Sequence, residues 1–209
     1  MMPAQLLVLA KEPVAGKVKT RLTPALSGEQ AAQVARAALE DTLDVVRRTP
    51  VAERLLVIDG VVDAPGFLLL PQVVGELDDR LAAAFDDAWS HREIPMLLIG
   101  MDTPQVTPAL LTQALTALLT PDVDAVLGLA DDGGWWGLGL RRPHPDLIRG
   151  IVTSRDDTGA RQRDALLRAG LTVVDLTSLR DVDTLADLTA VAALAPHGRF
   201  ARAVTAVLP

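Results

Sequence analysis

The chain has 209 residues, no cysteine, 3 histidines and a formal charge of −7. The lack of cysteine excludes disulfides, thiolate nucleophiles and thiolate metal ligands, so any metal must rest on oxygen or on one of those histidines. Apolar residues make up 49% of the chain, enough to fill the core of one α/β domain over residues 1–209. The acidic balance, without an extended basic face, argues against a nucleic-acid partner. No stretch approaches the ~18 consecutive apolar residues of a membrane span. The first apolar run leads into cations instead of a small-residue cleavage site, so a cytoplasmic protein with no membrane partner is expected.

Apolar runs and helical patterns alternate from end to end, which predicts a mostly parallel sheet covered by helices. Residues 5–10 read as the first strand. Ser27 and Gln30 form a capping box, and Ala31, Val34, Ala35, Ala38, Leu39, Leu43 and Val46 recur at helical spacing to about Arg48. Strands follow at 54–59 and 67–70, then a helix over 78–91 with Leu81, Ala84, Phe85 and Ala88 on one face. Residues 95–100 form a central strand, and Thr107-Pro108 announces a helix, a capping hydroxyl with proline at the first helical position. The runs 123–129 and 135–140 read as strands joined or bent at an acidic turn. An amphipathic segment over about 158–169, a strand over 171–176 and helices over about 184–195 and 198–207 complete the pattern, with 143–146 a surface turn.

Chemistry concentrates in the loops. Lys11, Lys17, Lys19 and Arg21 face Glu12 alone as a countercharge, directly after the first strand, in a chain whose net charge is negative. A loop leaving a strand towards a helix can aim backbone N–H groups and cations at one phosphate. An exposed basic turn is the alternative, since charge runs are commonly solvated faces. Asp102, two residues past the central strand, stands where a doubly wound sheet places ligand loops. It can hold Mg²⁺ or Mn²⁺ against phosphates, hard cations that take carboxylate oxygen, or serve as a turn residue. Asp131 and Asp132 precede Gly133 and Gly134, which permit positive φ and close approach to a ligand; an ordinary turn explains the same four residues. Asp181 and Asp183 form a third acidic loop, although Asp183 or Thr184 can equally cap the helix containing Asp187.

Spacing removes other chemistries. Gly16-Lys17 lacks the earlier Gly and the following Ser/Thr of a Walker A loop. No GxGxxG follows the first strand and no GxSxG is present. His91, His144 and His197 are scattered.

The segments Leu9 to Leu22, Ile99 to Pro104, Asp132 to Leu140 and Asp181 to Leu188 resemble, in this order, an uncharacterised bacterial family of glycosyltransferase-A-like proteins. That family is similar to 2-phospholactate guanylyltransferase and, more distantly, to molybdenum-cofactor guanylyltransferase and the sugar-nucleotide pyrophosphorylases. The resemblance spans about residues 5–190. It implies the nucleotide-diphospho-sugar transferase fold, a three-layer α/β/α sandwich, and a metal-dependent nucleotidyltransferase or glycosyltransferase acting on a small-molecule acceptor. It further implies a nucleoside triphosphate or nucleotide-sugar donor, with Lys11, Gly16, Lys17, Lys19, Thr20 and Arg21 around its phosphates and Lys19 and Arg21 the main contacts. Gly75 and Arg80 would flank the nucleotide. Gly133 and Gly134 would line the acceptor side, with Asp132 able to act as a base there. Asp102, Asp181 and Asp183 would hold Mg²⁺ or Mn²⁺. Departures from the family pattern are Met101 before the central Asp, Asp79 for a glycine, Trp135 for tyrosine, and the shortened Val152-Thr153-Ser154. They motivate an alternative: a non-catalytic nucleotide- or phosphometabolite-binding protein on the same fold. A phosphohydrolase with Asp131 or Asp132 as nucleophile fits poorly, because that Asp is expected where Lys11 stands.

Overall fold

A computed structural model describes residues 1–23 and 25–208. Seven strands form one sheet: β1 (Met2–Lys11), β2 (Val51–Asp59), β3 (Leu68–Pro71), β4 (Met96–Gly100), β5 (Ala125–Ala130), β6 (Trp135–Leu140) and β7 (Val173–Leu179). Their spatial order is β3-β2-β1-β4-β6-β5-β7. Among the described residues, β6 alone runs against its neighbours, pairing antiparallel with both β4 and β5; the remaining pairs are parallel.

Apolar runs without alternation in β1 and β4 follow from burial on both faces. Leu6 and Val8 point to one side, into a cluster with Leu39 and Leu43 of α1 (Gly28–Arg48) and Leu111 and Leu115 of α3 (Pro108–Leu119). Leu7 points to the other, against Leu81 and Phe85 of α2 (Leu77–His91) and Leu166 of α4 (Thr158–Arg168). The result is a three-layer α/β/α sandwich of the expected class. Outside it, α5 (Leu185–Leu194) and α6 (Arg199–Val207) pack on the outer side of α1 around Phe200 and Val34.

The helix-start signals operate as read. Ser27 accepts from Gln30 N at 3.2 Å while its own N–H donates to the Gln30 side chain at 2.8 Å, and Thr107 accepts from Leu110 N at 3.1 Å. Strand ends differ more. The last strand lies over Val173–Leu179 instead of 171–176, because its Thr-Ser-Leu end is recruited by pairing with β5 and lacks an apolar pattern of its own. Residues 123–140 form two strands joined by the acidic turn. This reversal matters: β5 ends, and β6 begins, at the sheet edge where β1, β4 and β7 also end.

Candidate functional site

Loops after β1, β4, β5 and β7 therefore meet at one edge of the sheet, around a cleft of about 460 Å³. The first loop alternates anchors and cations. Val18 and Leu22 are buried in the core beside α1, which leaves Lys17, Lys19 and Arg21 for the cleft. Two left-handed residues, Gly16 at φ 76° and Lys19 at φ 49°, turn the chain back on itself. A non-glycine residue in that region is uncommon and carries strain. Here the lysine side chain compensates through its partners: Lys19 Nζ lies 2.7 Å from Asp102 Oδ1 and 3.6 Å from Asp183 Oδ1, and donates to the Val182 carbonyl. Arg21 pairs with the other oxygen of Asp183. Lys11 and Lys17 line the same wall, and among the described residues neither has a carboxylate within ion-pair distance.

The acidic loops are laced together by backbone. Val182 N donates to Asp102 O at 3.1 Å, joining the loop after β4 to that after β7, and Asp131 N donates to Leu179 O at 3.0 Å. Thr184 is the cap of α5, accepting from Asp187 N at 3.4 Å, while Asp187 accepts from Thr184 N at 2.7 Å and Asp183 N at 3.2 Å. Capping thus falls to Thr184 and Asp187, and the Asp183 carboxylate is free to face the cleft. In the acidic turn, Asp132 Oδ1 accepts from Gly134 N at 2.7 Å. Gly133, at φ 88°, sits against the next loop so closely that a Cβ there would lie 1.9 Å from the Asp156 carbonyl oxygen. Only glycine fits.

Carboxylate oxygens of Asp132, Asp181 and Asp183 lie within 4.8 Å of one another. Asp102 is not in that set; its carboxylate is engaged by Lys19. Burial together with the negative charges of Asp132 and Asp183 pushes the Asp181 carboxyl up to about 6, against the opposing pull of Lys19. A carboxyl that resists ionisation among converging carboxylates marks a place where negative charge exceeds its compensation. Three oxygen donors so arranged suit a hard divalent cation.

Of the other sequence-derived positions, Thr20 and Gly134 line the cleft, while Gly16, Gly75, Arg80 and Gly133 do not. Arg80 is turned to Gly75 O at 2.8 Å and Asp59 at 3.3 Å, and the neighbouring Gln72, Leu77 and Leu81 reach the cleft instead. Met101 is buried, with its sulfur accepting from Lys11 N at 3.4 Å, so it packs the base of the first loop. Arg155 and Gln72 line the cleft without having been singled out by sequence reasoning. The one available signal for Arg155 was a lone cation just ahead of the α4 start, which is too common to select.

Comparison with known proteins bears on this geometry. Residues 31–155 match the family described as uncharacterized protein conserved in bacteria (DUF2064). No protein of curated function matches the sequence. A candidate nucleotide-diphospho-sugar transferase from Desulfovibrio desulfuricans G20 is 30% identical, with a TM-score of 0.82 over 90% of this chain and 85% of that one. CMP:2-keto-3-deoxy-manno-octonic acid synthetase, solved with CTP, is 13% identical with a TM-score of 0.60 over 93% of this chain and 98% of its own. A manganese complex of the Mycobacterium tuberculosis H37Rv protein Rv0371C is 19% identical with a TM-score of 0.54, covering 91% and 98%. The last two likenesses show the fold.

Proposed function

The chain belongs to the DUF2064 family of conserved bacterial proteins, and from that membership and the site geometry we propose that it is a divalent-metal-dependent transferase. On this reading it uses a nucleotide donor and a small-molecule acceptor, and the group transferred is the nucleotidyl group. The observation that carries the reading is the meeting of the first-loop cations with Asp102 and Asp183, beside the set Asp132, Asp181 and Asp183. Four cations on one loop match a nucleotide's polyphosphate better than a single phosphate, and we take the donor to be a nucleoside triphosphate with pyrophosphate as leaving group.

Each residue then has a defined task. Lys11 and Lys17 attract and hold the phosphates; Lys19 and Arg21 shift from carboxylate to phosphate oxygens as the donor enters. Asp132, Asp181 and Asp183 would hold Mg²⁺ or Mn²⁺, which when bound supplies charge neutralisation at the phosphates. An ionised acceptor oxygen forms its bond to the α-phosphorus as that phosphorus loses its bond to the bridging oxygen of the β-phosphate, and pyrophosphate departs with the electron pair. Preorganised charge does most of this work, and no side-chain nucleophile is needed. The absence of cysteine agrees with that.

The test is a thermal-shift panel of nucleoside triphosphates and nucleotide-sugars with and without Mn²⁺. A donor at about 100 times its Kd adds ~2.7 kcal/mol, roughly 5–10 °C for a chain of this size. Asp183→Asn should remove the metal-dependent part. If no triphosphate stabilises the wild type, or if the variant responds as the wild type does, the reading is wrong. Pyrophosphate release with an acceptor distinguishes turnover from mere binding.

A further inference from the structure

Beyond the first-loop cations the cleft carries one more, Arg155. Arg155 lines the cleft with its side chain 61% exposed. Its carboxylate neighbour, Asp157, is 3.9 Å away and gives its stronger contact, 2.6 Å, to Arg161 on α4. The Arg155 charge is therefore poorly compensated, unlike that of Lys19 or Arg21. Its backbone is nonetheless firmly placed. Arg155 N donates to the buried Thr158 hydroxyl at 3.1 Å, and that hydroxyl donates to Val152 O at 3.0 Å. Gly159 N donates to Gly133 O at 2.8 Å, and Asp156 packs on Gly133. The loop bearing Arg155 is thus clamped onto the turn bearing Asp132. Ser154, also in the cleft wall, is held at φ 59°, a conformation that costs a non-glycine residue. Trp135, the first residue of β6, presents a half-buried ring to the same space.

Three converging carboxylates and a polyphosphate donor repel any anionic acceptor that lacks a countercharge of its own. A guanidinium offers a planar fork of donors matched to a carboxylate or a phosphate. We propose that the acceptor is a small molecule bearing a phosphate or carboxylate group, that Arg155 holds this anion, and that Trp135 forms the adjoining apolar wall. The assignment rests on the donor reading above. A neutral acceptor, such as an unmodified sugar, would leave Arg155 without a role.

Binding is measured by tryptophan fluorescence and calorimetry, with inorganic phosphate, glycerol phosphate, phosphoglycolate and lactate as probes and glycerol as the uncharged control. Each probe is titrated without nucleotide and with the most stabilising triphosphate plus Mn²⁺. The anionic probes should bind and glycerol should not, and the preference between glycerol phosphate and lactate identifies the anion. Arg155→Gln should weaken the bound probe about tenfold, the value of one charge-assisted contact, Arg155→Lys should recover part of it, and the triphosphate affinity should stay within about twofold. The proposal is overturned if no anionic probe binds, if glycerol binds as well as they do, or if Arg155→Gln leaves probe affinity unchanged. Equal weakening of probe and triphosphate also overturns it, by moving Arg155 to the donor side. Failure of the donor reading is separately visible as a wild type that no triphosphate stabilises; the nucleotide-free titrations then still read Arg155 through the difference between wild type and Arg155→Gln, since the first-loop cations of the same cleft are common to both.

Discussion

Replacing Asp181 with Asn should make the metal-free protein more stable while removing its response to divalent cations. The carboxyl is half-buried and pushed from 3.8 to about 6 by burial and by Asp132 and Asp183. A rise of about two units at 1.36 kcal/mol each sets a ceiling near 3 kcal/mol; screening at a half-exposed group brings this to roughly 1–1.5 kcal/mol. The sign follows from proton binding. The folded state holds this proton more tightly than the unfolded chain, so the penalty is absent below about pH 4, grows as the pH rises towards 6, and is constant above that. An uncharged Asn escapes it. In EDTA at pH 7.5 the Asp181→Asn variant should melt about 3–5 °C above the wild type, at pH 4 the two should coincide, and with Mn²⁺ at pH 7.5 the order should reverse as only the wild type gains. A variant no more stable than the wild type at pH 7.5, or one equally stabilised at both pH values, would refute the charge argument.

Lys19→Met should have opposite effects on the two ligands. It strips a cation from Asp102 and Asp183, so Mn²⁺ should bind several-fold tighter in calorimetry while triphosphate affinity drops at least about tenfold; the Val182 carbonyl and Asp102 lose a partner, at a cost of about 1–2 kcal/mol. Gly133→Ala drives a Cβ into the Asp156 carbonyl and should destabilise by at least about 2 kcal/mol, read as a drop in denaturation midpoint, with both the acidic turn and the Arg155 loop displaced. Burial alone would raise the Asp44 carboxyl, but Arg199 and Arg47 outweigh it and hold the group below 3.8. Its contribution is thus present above about pH 4 and lost as the pH falls further. Arg199→Gln should accordingly cost about 0.5–1 kcal/mol at pH 7 and progressively less below pH 4, with the hydrogen exchange of α6 accelerating at neutral pH.

Helix starts were legible because they are local: the Ser27–Gln30 box and the Thr107-Pro108 cap act within one turn of chain. The alternation of apolar runs with helical patterns likewise marked a sandwich with a mostly parallel sheet, since both faces of β1 and β4 must be covered. Local rules did not reach the end of β7, whose Thr177 to Leu179 segment extends only because β5 lies beside it. For the site, the sequence by itself determined which loops carry charge and of which sign. Lys19 and Asp102 are 83 positions apart, and Arg21 and Asp183 are 162 apart. Only the strand order β1-β4-β6-β5-β7, with β6 reversed, brings those loops to one edge. That order also selected Asp132 to stand with Asp181 and Asp183, turned Asp102 to Lys19, and brought Arg155 to the same cleft. Propensity and capping act over a few residues, whereas charge compensation acts through space, and space between distant loops is arranged by the sheet.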